Sequence, residues 1–308
     1  MKRLICTLLT LLALATATQA QERAPERQNW RHHTLQGDVA CVRMKVYTIS
    51  DHSGTIRQDS LRSWYEWQFN ERGDVALHTS GNTLREMSLK EHFTYTAEGL
   101  IESVVWHDIE QNILYKTLYR YNAEGRQSEC STHNGEGSLV SRQHYTYDSD
   151  GHLSEELSYN AEGVESYRRT YVYNSRGDKV EEHTTDRWGT RSERIALEYD
   201  AEGRIIGQEL YLNTTAPISR TRYTYDAAGN RTERMEYDYD GSLSQQILYA
   251  YDAEGNICSM TTLDGEGKTI ALVEMSYDEQ RNLIRKTFYR GEQHRPILLL
   301  EYDITYRK

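Results

Sequence analysis

Few residues of this 308-residue chain are typed and spaced for chemistry. His107 and His133 lie 26 residues apart, which suggests a metal pair until the spacing is converted into distance. On strands two apart they would be separated by about 9.6 Å, whereas zinc holds imidazole nitrogens at about 2.0–2.1 Å. They read as solvated histidines. Asp200, Asp226, Asp252 and Asp278 form a carboxylate ladder at the same spacing. Calcium takes about six to eight oxygens, and one carboxylate per turn does not supply them. Turn formation explains these aspartates, and also the denser Asp148-Ser149-Asp150-Gly151 and Asp238-Tyr239-Asp240-Gly241. Acid pairs such as Glu155-Glu156 and Glu181-Glu182 are too common to single one out for acid–base work. No Ser-centred nucleophile motif, phosphate loop or HExxH sequence occurs, so no catalytic, metal or cofactor residue is assigned. An enzymatic site would also break the repeat described below, and the clear breaks fall at the chain's ends.

Aromatic side chains are the better candidates, for binding. Trp188 falls at a turn tip, where burial is hard, and Tyr239 occupies the matching loop two repeats on. Tyr159, Tyr211, Tyr237 and Tyr289 recur just before such turns. Rigid amphipathic rings suit sugar stacking or protein contacts. The structural alternative is that they cover neighbouring strands.

The elements that would position them follow from a repeat. Phe69, Tyr95, Tyr121, Tyr147, Tyr173, Tyr199, Tyr225, Tyr251 and Tyr277 are spaced by 26 residues, and Tyr302 follows after 25. Two positions earlier come Trp67, Phe93, Tyr119, Tyr145, Tyr171, Leu197, Tyr223, Tyr249 and Met275. Asp, Asn or Thr follows the second aromatic, and Gly stands four positions after it until Arg281 breaks the rule. Aromatics two apart share one face of a strand. Asp or Asn with Gly three residues on makes a tight turn, since Gly tolerates positive φ. A second turn, such as Asn160-Ala161-Glu162-Gly163, divides each unit into two strands of about eight or nine residues. No sustained helical period exists.

The fold expected is therefore all-β, an antiparallel meander of about 18–20 strands on the order of 90 Å long if open. Twist should curl it, with the aromatic face inside a hollow spiral. A single-layer sheet with tyrosines on both faces is the rival geometry. Residues 1–20 read as a signal peptide, from the basic Lys2-Arg3, the apolar Leu4–Ala17 and the small residues of Thr18-Gln19-Ala20. Residues 21–40 read as a flexible lead and 41–68 as a shortened capping repeat. Residues 69–308 then hold nine 26-residue units and an apolar closing strand at Ile297–Tyr302.

Composition agrees with an ordered chain that is poor in conventional core. There are 24 Tyr against 3 Phe, hydrophobic residues are 37%, and the mean hydropathy is −0.80. The net charge is −11, and losing Lys2 and Arg3 leaves 34 basic against 47 acidic residues, or −13. Such a chain repels nucleic acid and anionic membranes. The apolar leader is too short for a comfortable membrane span, and no second apolar stretch follows. Cys41, Cys130 and Cys258 read as isolated thiols, being odd in number and far apart in the array.

The iterated Tyr-x-Tyr-[Asp/Asn]-x-x-Gly signature, fullest at Tyr223-Thr224-Tyr225-Asp226-Ala227-Ala228-Gly229, resembles the YD or Rhs repeat family over residues 69 to 303. The unit is longer than the family's usual one. The resemblance implies exported hairpin arrays that wrap into hollow spirals, enclosing a toxin in large members, with carbohydrate binding proposed for the repeats. The expectation is an exported, non-enzymatic scaffold without cofactors that binds a protein or glycan at the cell surface or in the periplasm. A carbohydrate binder using the aromatic loop tips is the first alternative. A shell-like component of a toxin or secretion system is the second.

Overall fold

The computed structural model describes residues 35–52, 55–83 and 87–308. The expected signal peptide and most of the expected lead lie outside the described residues. Twenty strands follow in order: β1 (Val39–His52), β2 (Thr55–Phe69), β3 (Val75–Asn82), β4 (Met87–Tyr95), β5 (Ile101–His107), β6 (Ile113–Tyr121), β7 (Gln127–Asn134), β8 (Leu139–Tyr147), β9 (Leu153–Asn160) and β10 (Glu165–Tyr173). The second half comprises β11 (Lys179–Asp186), β12 (Ser192–Tyr199), β13 (Ile205–Leu212), β14 (Ser219–Tyr225), β15 (Arg231–Asp238), β16 (Leu243–Tyr251), β17 (Ile257–Asp264), β18 (Thr269–Tyr277), β19 (Leu283–Arg290) and β20 (Arg295–Tyr306). Each strand pairs antiparallel with the next, and β1 pairs with β20, as in Met44 opposite Tyr302 and Val46 opposite Leu300. The meander thus closes into a barrel, which fits the curl expected of it.

The turns are built as their residues require. In the turn after β14, Gly229 N donates to Asp226 O at 3.0 Å, and Asp226 Oδ1 accepts from Ala228 N and Asn230 N. Gly229 has φ +88°, the left-handed conformation that closes such a loop. Arg281, the exception to the glycine rule, adopts the same conformation at φ 66° and makes the same bond to Asp278 O. The Asn230 amide and the turn's N–H groups hold the Asp226 carboxyl below the usual carboxylate range.

Just past each such turn the ladder slips. Tyr225 pairs with Arg231 but Thr224 with Glu233, so Thr232 is extra, and the same bulge recurs between Ala250 and Tyr251 and between Ser276 and Tyr277. A bulge turns one carbonyl out of the ladder. The tyrosine of the following repeat satisfies it: Tyr225 OH donates to Ile205 O at 2.7 Å, Tyr251 OH to Arg231 O at 2.8 Å and Tyr277 OH to Ile257 O at 2.8 Å. Tyr95, Tyr121, Tyr147, Tyr173 and Tyr199 do likewise, always to the residue 20 earlier.

Gln143 is level with Ser158 and then Tyr167, whereas its repeat equivalent is Arg169, two residues further along. A two-residue stagger per hairpin tilts the strands, and twenty strands so tilted enclose a ring about 35 Å across. The Tyr-x-Tyr face points inward and is the better buried. Its apolar arc runs over β16–β20 and β1, through Ile247, Met260, Val273, Phe288, Leu298 and Leu300 to Met44 and Val46. At the seam Arg307 ion-pairs with Asp38 and donates to Phe69 O at 2.8 Å, tying β20 to both ends of the β1–β2 hairpin. Cys41, Cys130 and Cys258 are free thiols.

Removing one ladder hydroxyl, Tyr225→Phe, leaves a half-buried carbonyl unpaired and is expected to cost about 1 kcal/mol in thermal or urea unfolding. No measurable loss would show the bond to be incidental.

Lys286 lies inside the apolar arc, opposite Met275 and Leu300, and burial pushes its pKa from 10.5 down to about 8. Between those values the unfolded chain holds the proton that the folded one releases, so stability rises with pH there. Lys286→Met is expected to abolish that rise and to add roughly 2–3 kcal/mol at pH 7. Parallel pH–stability profiles for the two proteins would refute the assignment.

Candidate functional site

The inner wall changes character around the ring, because the positions facing it are where the repeat varies. One such position carries His78, Val104, Cys130, Glu156, Glu182, Gln208, Arg234, Met260 and Lys286 in successive units. From β9 to β11 the wall is polar: Arg169 lies 3.5 Å from Glu156 and 3.2 Å from Glu182, and Tyr167 OH donates to Glu156 at 2.7 Å. From β16 round to β1 it is apolar.

Between these arcs, on β2–β6, the wall is aromatic. A pocket of about 250 Å³ is lined there by Trp67, His78, Glu91, Phe93, Trp106 and Tyr119, with Val75 and Val104 completing it. Strand registry assembles it: Trp67 faces His78, His78 faces Glu91, and Glu91 faces Trp106. The Trp67 and His78 rings stack at 4.8 Å and 12°. His78 Nδ1 is 3.1 Å from Glu91 Oε1, while its Nε2 is buried without a hydrogen-bond partner. The imidazole is thus aimed by a carboxylate and still has one nitrogen to offer. Glu91 is the sole carboxylate among the lining residues. An aromatic wall with one imidazole and one carboxylate can stack against a polar ligand and hydrogen-bond to it.

Sequence reasoning missed this pocket. Trp67, Phe93 and Tyr119 are visible as repeat positions, but His78, Glu91 and Trp106 are departures from the repeat, equivalent to Val104, Thr117 and Thr132. Departures at inward-facing positions were the available signal.

The aromatic candidates named from the sequence all lie elsewhere. Trp188 and Tyr239 stand at turn tips on one rim of the barrel, 70% and 78% exposed, with Arg187 over the Trp188 ring at 4.8 Å. Tyr159, Tyr211, Tyr237 and Tyr289 lie on the outer wall near that rim and engage neighbours. Tyr211 is covered by Arg194 at 3.6 Å and donates to Glu209 at 2.6 Å. Tyr159 meets His144 edge-on at 5.5 Å. Tyr237 OH contacts the Met235 sulfur at 3.4 Å, and Tyr289 OH donates to Glu274 at 2.7 Å. The structure does not bring these six rings into one pocket.

The outer wall between them is charged. Arg43–Glu66, Lys45–Asp303, Arg168–Glu155, Arg194–Glu181, Arg220–Glu209 and Arg222–Glu198 pair across its strands. A lipid-facing barrel carries an apolar band about 25 Å tall there. On this wall the paired charges stand where such a band would lie.

Residues 199–237, from Tyr199 through the turn at Asp226 to Tyr237, match the family model described as RHS Repeat. Over that stretch the chain is similar to an Rhs repeat. Among solved structures, a porin-like protein from Bacteroides uniformis is similar at 12% identity over 88% of this chain and 99% of that one, with a TM-score of 0.41. The TcdB2-TccC3-Cdc42 structure is similar at 12% identity and a TM-score of 0.34, over 88% of this chain and 17% of that one. TcdB2-TccC3 without its hypervariable C-terminal region gives 11% identity and 0.33, over 84% and 17%. The chain therefore spans about a sixth of the length of those two. No curated protein sequence matches it.

The exposed and inner tryptophans of this barrel should separate in stability. Trp188→Ala is expected to change unfolding free energy by less than about 0.5 kcal/mol, and Trp67→Ala to cost about 2–3 kcal/mol. Calorimetry in which both variants melt alike would contradict the two placements.

Proposed function

We propose that this Rhs-repeat barrel is an exported, non-enzymatic scaffold that binds a glycan in the aromatic pocket of its inner wall. The observation that carries the reading is the convergence of Trp67, Phe93, Trp106 and Tyr119 around the His78–Glu91 pair. Aromatic faces take the C–H faces of sugar rings, while the imidazole and carboxylate take their hydroxyls. A ring too wide for its own side chains to fill leaves access to that wall. Export rests on the leader sequence at residues 1–20, and a water-facing outer wall is consistent with it.

A second reading has its own support. Trp188 and Tyr239 are exposed on the same rim, about 19 Å apart if counted as four strands, and would serve a protein or glycan at the barrel's mouth. The enclosing-shell alternative gains the closed ring.

A glycan array followed by calorimetric titration of the best hit decides between the sites. Trp106→Ala is expected to weaken binding at least tenfold with unchanged circular dichroism, and Trp188→Ala to leave it within twofold. The reverse pattern would move the site to the rim.

A further inference from the structure

A second opening lies where β1 and β20 part, and it is separate from the inner pocket. Their ladder runs from Val39 opposite Tyr306 to Thr48 opposite Leu298 and stops there. The cause is in the two residues of β20 that come just before Leu298. Ile297 is the extra residue of a bulge, since Phe288 pairs with Leu298 and Tyr289 with Pro296. Pro296 has no N–H to give a neighbouring strand. Past Thr48, β1 continues to His52, paired on one side with β2 from Ile49 opposite Gln58 to His52 opposite Thr55. Among the described residues no strand pairs with its other edge, and about 13 Å of β1 borders the gap.

The gap is a pocket of about 440 Å³. Its floor is apolar, made by Ile49, Pro296 and Ile297, of which the first two are buried. Its charge runs against the rest of the chain. Arg290 and Arg295 stand directly opposite each other where the β19–β20 hairpin closes, and like charges so placed repel. Neither forms an ion pair among the described residues. Arg290 also reverses the repeat, whose equivalent residues include Asn134, Asn160, Asp186, Asp238 and Asp264. Asp51 is the sole carboxylate among the lining residues, so two cations face one acid.

From this we infer that the cleft between β1 and β20 takes the C-terminal end of an extended polypeptide chain. The incoming backbone lies along Ile49–His52 as a strand added to an open edge. Its terminal carboxylate accepts hydrogen bonds from Arg290 and Arg295, whose planar forks match a flat two-oxygen group. Its last side chain is apolar and rests on Ile49, Pro296 and Ile297. One positive charge in excess suits a single carboxylate better than a phosphate dianion. None of the lining residues is aromatic, so a sugar ring has no face to stack on.

The test passes a pool of short N-acetylated peptides, ending in Leu, Ile, Val or Phe, over the immobilised full chain. The same pool with amidated C-termini runs beside it, and the best-retained peptide is then titrated by calorimetry. The free-carboxylate pool is expected to be retained and the amidated pool not. The double variant Arg290→Gln, Arg295→Gln is expected to bind the selected peptide more weakly by about tenfold or more, since hydrogen bonds to a charged group are lost. The control double Arg168→Gln, Arg194→Gln should stay within twofold of wild type. Methylating the peptide's backbone nitrogens one at a time should weaken binding at alternate positions, as an added strand requires. N-acetyl-leucine alone, which has the carboxylate and the side chain but no strand, should bind more weakly than the peptide. Trp106→Ala should bind the peptide as wild type does, so that failure of the inner-pocket reading and failure of this one are told apart. Circular dichroism confirms that each variant is folded, and single substitutions at Arg290 and Arg295 replace a double that is not. No retention of the free-carboxylate pool, equal retention of the amidated pool, equal losses in the two doubles, or N-acetyl-leucine binding as tightly as the peptide would each overturn the inference.

Discussion

The bond from a tyrosine hydroxyl to a carbonyl 20 residues earlier is what the barrel depends on. Each bulge releases one backbone acceptor at the edge of a hairpin, in a place water reaches poorly. The tyrosine that answers it comes from the neighbouring repeat, so the bond sets one hairpin against the next and not merely a strand within its own turn. A phenylalanine there would bury as much area and fix nothing. Eight of the chain's 24 tyrosines make this bond among the described residues. Bulges also sharpen twist, and a twist repeated at every unit brings β20 round to β1.

Closure then divides the chain's chemistry between two walls. An open sheet of this length would present two long unpaired edges, an invitation to pair with other chains. Pairing β1 with β20 removes both, but the seam cannot be made of ordinary repeat. β1, β2 and β20 are 14, 15 and 12 residues long against 7–9 elsewhere, and the inward residues of β1 and β20 are Val, Met and Leu more than Tyr and Thr. Asn282 and Tyr306 add a polar latch, since Asn282 bonds both Gln36 and the Tyr306 hydroxyl, which donates to Asp278. The ring's stability is concentrated where the repeat stops.

Most of the scaffold was legible in the sequence because its determinants are local. Tyr-x-Tyr fixes a strand face, Asp-x-x-Gly fixes a turn, and counting them fixes the number of strands close to twenty. Closure was not legible. It depends on a two-residue stagger that accumulates across the sheet, and no single unit displays it. The binding candidates fared differently from one another. Trp188 and Tyr239 were placed at turn tips from sequence alone and are found there, because a turn tip is a local fact. Tyr211 and Tyr289 could not be distinguished from them in the same way, since the glutamates that receive their hydroxyls belong to strand registry. The His78–Glu91–Trp106 cluster was invisible for that reason too: its members lie 13 and 15 residues apart and meet only across β3, β4 and β5.

A repeat of this kind separates what must stay constant from what is free to change. The turn aspartates, the left-handed glycines and the ladder tyrosines are bound by geometry, and altering one disturbs its neighbours. A residue elsewhere on the inner face belongs neither to a turn nor to the tyrosine ladder, so neither of these fixes its type. The same inward position can therefore hold His78, Glu156, Arg234 or Lys286 without any change of backbone. At the seam the departures are of another kind. Arg290 stands where other units carry Asp or Asn, and Pro296 ends the ladder that would have closed the gap beside it. In a structure whose framework is this uniform, chemistry is found by subtracting the repeat, and what remains is an aromatic pocket within and a cationic cleft where the ring closes.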